Sequence, residues 1–192
     1  METKISYKHL IYLRKKDLKN FRRTIEMNID TVFGNIQNIQ EDIYKMLLII
    51  STEKRLNIDT STFSWSIKIM KTYVEIAYIT LIALDLKPYK NPFKKLKIES
   101  MLFSEREYFE GQEGLNFLRI FFGLKTIGRW NMLIDEIFAL SIDKSHVENL
   151  IDSHDLIIEK DFLLKLPFTL YALNKDKTIS CIDLHPSLYS RN

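Results

Sequence analysis

The stretch from Trp65 to Leu86, WSIKIMKTYVEIAYITLIALDL, determines the fold of this chain. Fifteen of its twenty-two residues are apolar or aromatic, and at 1.5 Å per residue a helix of that length extends about 33 Å. Because apolar side chains fall on nearly every face, the pattern predicts a central helix that other helices cover from several sides. We therefore expect an all-α, single-domain helical bundle of about six to eight helices.

A membrane span is the main alternative for this stretch, because its length is close to what a bilayer requires. Four charged residues interrupt it: Lys68, Lys71, Glu75 and Asp85. The longest uncharged run covers only residues 76–84, and the first residues, METKISYKHL, lack the apolar core of a secretory signal. We expect a soluble cytoplasmic protein without a transmembrane segment, and the single cysteine, Cys181, suits a reducing compartment.

The rest of the chain divides into segments of different character. Residues 7–50 are predicted to form a long helix or a helix pair, and residues 63–86 contain the central helix. Residues 104–174 read as short antiparallel helix pairs, which often stack into a solenoid-like layer. Beyond residue 174 the helical rhythm is lost, which predicts an irregular tail over 175–192.

Residues 7–50 carry apolar residues at heptad spacing, which forms a seam along one helix face. Two alternatives stay open for the helix itself: one continuous helix, or two helices broken near Thr24 to Asp30. The seam can pack against another chain as a coiled coil or, as we favour, against the central helix of the same chain, so the oligomeric state is open. The seam residues are Ile11, Leu18, Ile25, Val32, Ile39 and Met46.

In the second half, a capping box predicts a short helix from Glu105 to near Gly111. A strongly apolar helix is expected over Leu115 to Ile127, where Gly128 either breaks it or lets it continue. The last predicted helix spans Lys160 to Leu173, with a kink at Pro167. These elements complete the predicted bundle.

Charge is distributed unevenly along the chain. Residues 1–23 hold eight Lys or Arg against two acids, whereas residues 99–161 hold thirteen acids against six bases. On the basic segment, four cations at helical spacing form a possible anion-binding flank: Lys8, Lys15, Lys19 and Arg22. Recognition of bases usually needs a recognition helix or an exposed aromatic surface, and the sequence indicates neither. Nucleic-acid binding is therefore the alternative function and not the leading one.

The sequence contains no recognisable catalytic or metal-binding motif. Its four histidines, His9, His146, His154 and His185, show neither the HExxH motif nor metal-ligand spacing. Nucleophile elbows, Walker loops and GxGxxG are also absent. We expect no enzymatic activity, no cofactor and no metal.

Two stretches resemble a known family. FLRIFFGLKTIGRWNMLIDEIFA at residues 117–139 and DFLLKLPFTLYAL at residues 161–173 resemble the helical immunity proteins of bacterial polymorphic toxin systems, in particular the immunity family catalogued as number forty-nine. The shared pattern includes an arginine at a helix junction, here Arg129, and a charged turn after the last helix, here Asn174 to Lys177. The central helix, with Ala77 and Ala83, is similar to the mid-chain helix of that family.

The resemblance implies a bacterial cytoplasmic protein that binds one cognate toxin and blocks it without chemistry. A nuclease toxin usually presents a basic cleft, and an acidic run could occupy it through complementary charge. The predicted partner-binding residues are therefore Glu105, Glu107, Glu110 and Glu113.

Overall fold

The computed structural model describes residues 10–30, 36–51, 60–92, 109–143 and 153–189. These residues form seven α-helices, a π-helical segment at Glu26–Asp30 and a 3-10 turn at Pro186–Leu188, with no strand among them. The all-α prediction is confirmed. The α-helices are α1 (Lys15–Lys19), α2 (Phe21–Ile25), α3 (Ile36–Ser51), α4 (Thr60–Ala83), α5 (Gly111–Leu124), α6 (Ile127–Asp143) and α7 (Ser153–Lys175).

The predicted central helix is α4, and it lies at the centre of the bundle. It contacts α3, α5, α6, α7 and the π-helical segment, and every residue from 71 to 77 is buried. It ends at Ala83, earlier than the predicted Leu86, because Asp85 adopts a left-handed conformation with φ 49°. The Asp85 and Leu86 N–H groups then donate to the carbonyls of Ile82 and Leu81, which is a Schellman cap.

The N-terminal segment differs from the predicted helix, whose first residues, 7–9, lie outside the described part. Residues 10–14 are not helical, and the backbone N–H groups of residues 11–13 turn toward the Glu75 side chain of α4 instead of toward the chain's own carbonyls. A further break at Asn20 separates α1 from α2, and the π-helical segment occupies most of the predicted break region. The seam side chain of Ile11 is consequently 60% exposed.

The remaining described seam residues are buried inside this one chain: Leu18, Ile25, Ile39 and Met46. The α3 helix packs against α4, and there Ser66 Oγ donates a 2.5 Å hydrogen bond to the Asp42 carboxylate. For the α3 part of the seam, the preferred partner, the central helix of the same chain, is thus one of the helices contacted, together with α6.

The second half starts its helices at different residues from those predicted. Gly111 begins α5, whereas the pattern predicted that a helix would end there; residues 93–108 lie outside the described part. Glu110 is extended, with φ −108° and ψ 161°. The chain breaks at Lys125, also extended, and Gly128 lies inside α6. The helix α7 runs through Pro167 without ending.

Five buried aromatic residues, which we call the aromatic cluster, join α5, α6 and α7: Phe109, Phe117, Phe121, Trp130 and Phe162. The Phe117 ring stacks on that of Phe162 with centroids 5.1 Å apart, and Phe121 stacks on Trp130 at 4.1 Å. Trp130 Nε1 also donates to the Phe121 carbonyl at 2.9 Å. This cluster fixes the position of the start of α5.

The segment after α7 packs onto the bundle although it is irregular. Ile179, Ile182 and Tyr189 are buried. Across the described ranges, no helix has both the length and the apolar character that spanning a membrane requires.

Candidate functional site

The predicted partner-binding acids that the structure describes lie at the start of α5. Glu110 and Glu113 are both exposed, and we call these two residues the acidic edge. Glu105 and Glu107 lie outside the described residues. The structure thus places two of the four predicted residues at the surface, one directly before α5 and one in its first turn.

The backbone on both sides of Glu110 is anchored, to α7 on one side and to the turn after α7 on the other. On one side, the Phe109 N–H donates to Thr169 Oγ1 at 3.3 Å, and the Phe109 ring stacks on Phe117 at 5.4 Å. On the other side, the Gly111 N–H donates to Asp176 Oδ2 at 2.8 Å. Glu110 is therefore an exposed carboxylate on a backbone that is fixed before and after it.

Local backbone conformation explains why Gly111 and Asp176 occupy these positions. Gly111 has φ +47°, a left-handed conformation that glycine adopts without a steric penalty. Asp176 uses its second oxygen to accept from the Thr178 N–H at 2.8 Å, so one carboxylate ties the turn after α7 to the first residue of α5. Chemically, the edge can pair with cations of a partner.

The predicted anion-binding residues lie on different helices from the acidic edge. Lys15 and Lys19 belong to α1 and Arg22 to α2, and all three are exposed; Lys8 lies outside the described residues. Arg22 Nε contacts Glu26 Oε1 at 3.3 Å. The structure therefore presents two separate charged surfaces of opposite sign.

Sequence reasoning missed a buried carboxylate in the middle of α4. Glu75 is fully buried, and its two oxygens accept from three successive backbone N–H groups, at 2.5 Å from Ile11, 3.1 Å from Tyr12 and 2.8 Å from Leu13. We call residues 10–14 the N-terminal strap. One side chain thus holds the strap against the central helix.

Charged and titratable groups surround the Glu75 carboxylate. Burial raises the pKa of Glu75, while the three backbone hydrogen bonds and the charge of Lys71 act in the opposite direction. Lys71, itself buried, donates to Asp135 of α6 at 2.5 Å. Burial, Asp135 and Glu75 all raise the pKa of Tyr12. The signal in the sequence is a pair of opposite charges four residues apart, Lys71 and Glu75, in a helix with only one other charged residue, Lys68.

Other buried or partly buried charges form pairs inside the bundle. Lys125 contacts Glu159 at 2.6 Å, and Lys165 contacts Asp161 at 2.8 Å. Within the described ranges, no three histidine, cysteine or acidic side chains come together in a way that could hold a metal ion. His185 lies at the N-cap of the 3-10 turn, where its ring contacts Ser187 at 2.8 Å. The Lys125–Glu159 pair joins the connection between α5 and α6 to α7, whereas the Lys165–Asp161 pair lies within α7.

No protein-family model, curated protein or solved structure matches this chain. What the two charged surfaces can bind is therefore inferred from their geometry and charge. The acidic edge combines exposure with an anchored backbone, which lowers the entropy that a binding surface loses when a partner docks.

Proposed function

We propose that this protein binds and neutralises a cognate bacterial toxin in the cytoplasm through protein–protein contact, without catalysing a reaction. The observation that carries the proposal is the acidic edge, where Glu110 is exposed between two residues whose N–H groups are bonded to Thr169 of α7 and to Asp176 in the turn after it. A carboxylate held in this way can meet a cation of the partner at a defined place.

Charge complementarity is the expected mode of recognition. A toxin that cleaves nucleic acid needs a basic cleft to hold phosphates, and an acidic surface is attracted to that cleft and covers it. Such charges raise the association rate more than they raise the affinity. Neutralisation then follows because the nucleic acid and this protein compete for one cleft.

The packing behind the edge supports a mechanism with little rearrangement. The start of α5 rests on α7 through the ring contact between Phe117 and Phe162. Gly114, one turn into α5, lies so close to α7 that an added Cβ would come within 2.8 Å of the Leu173 side chain. Interfaces on such preformed surfaces usually move little on binding.

The test uses the protein encoded by the adjacent gene as the candidate toxin. Its expression alone in a bacterial host is expected to arrest growth, and co-expression of this chain is expected to restore it. With purified proteins, Glu110→Lys should lower the association rate constant about tenfold. The matched control is Glu136→Lys, which makes the same charge change at an exposed residue of α6 and should leave the rate unchanged.

Three results would contradict the proposal. The adjacent gene product could be harmless when expressed alone, or growth arrest could persist when this protein is present. An equal effect of Glu110→Lys and Glu136→Lys would show that net charge, and not the acidic edge, governs binding.

A further inference from the structure

Six cations within ten residues cover the outer side of α1 and α2, and we call this surface the basic face. All six are exposed. The opposite side of the same helices is buried, with Leu18, Phe21 and Ile25 each at most 2% exposed. The cations are Arg14, Lys15, Lys16, Lys19, Arg22 and Arg23.

Acidic side chains neutralise little of this charge. In the described part of the chain, Arg22 is the one cation of the basic face in an ion pair, with Glu26. Asp17 lies on the same helix as three of the lysines, but its carboxylate accepts from the Arg14 backbone N–H at 2.8 Å. By contrast, Lys71 and Lys165 elsewhere in the bundle are each paired with a carboxylate.

The basic face is held in place at both ends. Before α1, the N-terminal strap is fixed by the hydrogen bonds to Glu75. After α2, Tyr73 Oη of α4 donates to the carbonyl of Asn28 in the π-helical segment at 3.1 Å. The break at Asn20 divides this segment into two helices of five residues, each about 7.5 Å long at 1.5 Å per residue, and the cations on the two helices together can contact several phosphates.

We propose that the basic face binds the phosphate backbone of a double-stranded nucleic acid without regard to base sequence. Exposed lysine and arginine side chains contact phosphates, and such contacts carry no base recognition. This binding is separate from toxin neutralisation, because the basic face and the acidic edge lie on different helices.

Two other polyanions fit the observations less well. An anionic membrane is usually bound by a helix that inserts an apolar face, and here the apolar side of α1 and α2 is buried in the protein. Single-stranded nucleic acid is held by stacking on exposed aromatic rings, whereas the aromatic residue of α2, Phe21, is buried. Contact with the backbone of a duplex needs neither feature.

The experiment measures binding of the full chain to labelled DNA and RNA duplexes of about 20 base pairs and mixed sequence, between 50 and 200 mM salt. With about four phosphate contacts, the affinity should fall about 100-fold over that range. Lys15→Gln combined with Lys19→Gln removes two contacts, so the fall should shrink to about tenfold. Thermal melts of each variant verify that it is folded.

The matched control is Lys87→Gln combined with Lys90→Gln, two exposed lysines in the segment after α4. It changes the net charge equally and should keep the salt dependence of the unaltered chain. The inference is overturned if neither duplex binds at 50 mM salt, or if both double variants weaken binding equally. Stronger binding to single strands, or to vesicles of phosphatidylglycerol, than to the duplexes would overturn it in favour of that polyanion.

Discussion

The N-terminal strap and the aromatic cluster are both attached to the bundle, but by opposite kinds of interaction. The strap is held by backbone N–H groups that converge on the carboxylate of Glu75. The aromatic cluster is held by ring contacts such as the 4.1 Å stack of Phe121 on Trp130. The first attachment is directional and depends on protonation, whereas the second depends on volume.

Each attachment positions one of the two charged surfaces. The strap leads directly into α1 and thus into the basic face, and the aromatic cluster supports the start of α5 and thus the acidic edge. We therefore expect substitutions in the aromatic cluster to destabilise the whole domain, and substitutions at Glu75 to loosen the strap selectively.

The largest effect is expected for Phe117→Ala. Phe117 is fully buried, and its ring contacts Phe109, Phe121 and Phe162. Removing the ring should lower the free energy of unfolding by about 3–5 kcal/mol, because the cavity it leaves adds to the lost apolar burial. Urea denaturation measures this change.

The control for Phe117→Ala is Met132→Ala. Met132 lies on α6 with 61% of its surface exposed, so its truncation should change stability by no more than about 0.5 kcal/mol. A loss below about 1 kcal/mol for Phe117→Ala would mean that the aromatic cluster does not hold α5 on α7.

A smaller effect is expected for Gly123→Ala in α5, where the segment after α4 crosses the helix. An added Cβ would lie 2.5 Å from the Tyr89 carbonyl oxygen, and this backbone is itself bonded to α5 through the Tyr89 N–H and the Arg119 carbonyl at 3.1 Å. We expect the free energy of unfolding to fall by about 1–3 kcal/mol, because the added methyl group overpacks this contact.

The matched control is Gly128→Ala in α6, where an added Cβ would meet nothing within 4 Å. Alanine is the better helix former, so this change should stabilise the protein by about 0.5–1 kcal/mol. Equal effects of the two glycine substitutions would show that the Tyr89 crossing is not closely packed.

The central helix could be predicted because its signal is local. Trp65 to Leu86 is apolar on nearly every face, and this pattern alone requires neighbours on several sides. The burial of Leu18, Ile25, Ile39 and Met46 follows from the spacing of the seam in the same way. For these residues, the burial predicted from the sequence periodicity agrees with the burial in the structure.

The strap and the start of α5 could not be predicted because their signals come from distant residues. Residues 10–14 continue the helical rhythm, but Glu75, more than sixty residues away, offers their N–H groups an acceptor. Likewise, Gly111 resembles a helix terminator, yet it starts α5 because Asp176 accepts its N–H. The sequence therefore predicts the glutamates of the acidic edge from their residue type. The hydrogen bonds that hold the backbone around them are visible only in the tertiary structure.

A still smaller effect, and a selective one, is expected for Glu75→Gln. The glutamine side chain has one acceptor oxygen for three N–H groups, and its NH₂ group faces the N–H groups that this oxygen does not reach. We therefore expect the free energy of unfolding to fall by about 1–2 kcal/mol. Amide hydrogen exchange at residues 11–13 should accelerate about 5–30-fold, while the amides of α5 and α7 keep their rates. Equal acceleration in all three regions would contradict a strap that opens independently.

The smallest expected effect is the change with pH in the stability difference between the unaltered protein and Glu75→Gln. Since burial raises the pKa of Glu75 above its ordinary 4.5, the folded state holds the proton more tightly than the unfolded chain does. The stability that Glu75 contributes is therefore fully present below pH 4.5 and is lost as the pH rises through the folded-state pKa. In urea denaturation, the stability advantage of the unaltered protein over Glu75→Gln should therefore shrink as the pH rises above about 4.5. An advantage that grows with pH would mean that the three N–H donors and Lys71 outweigh burial in setting the pKa of Glu75.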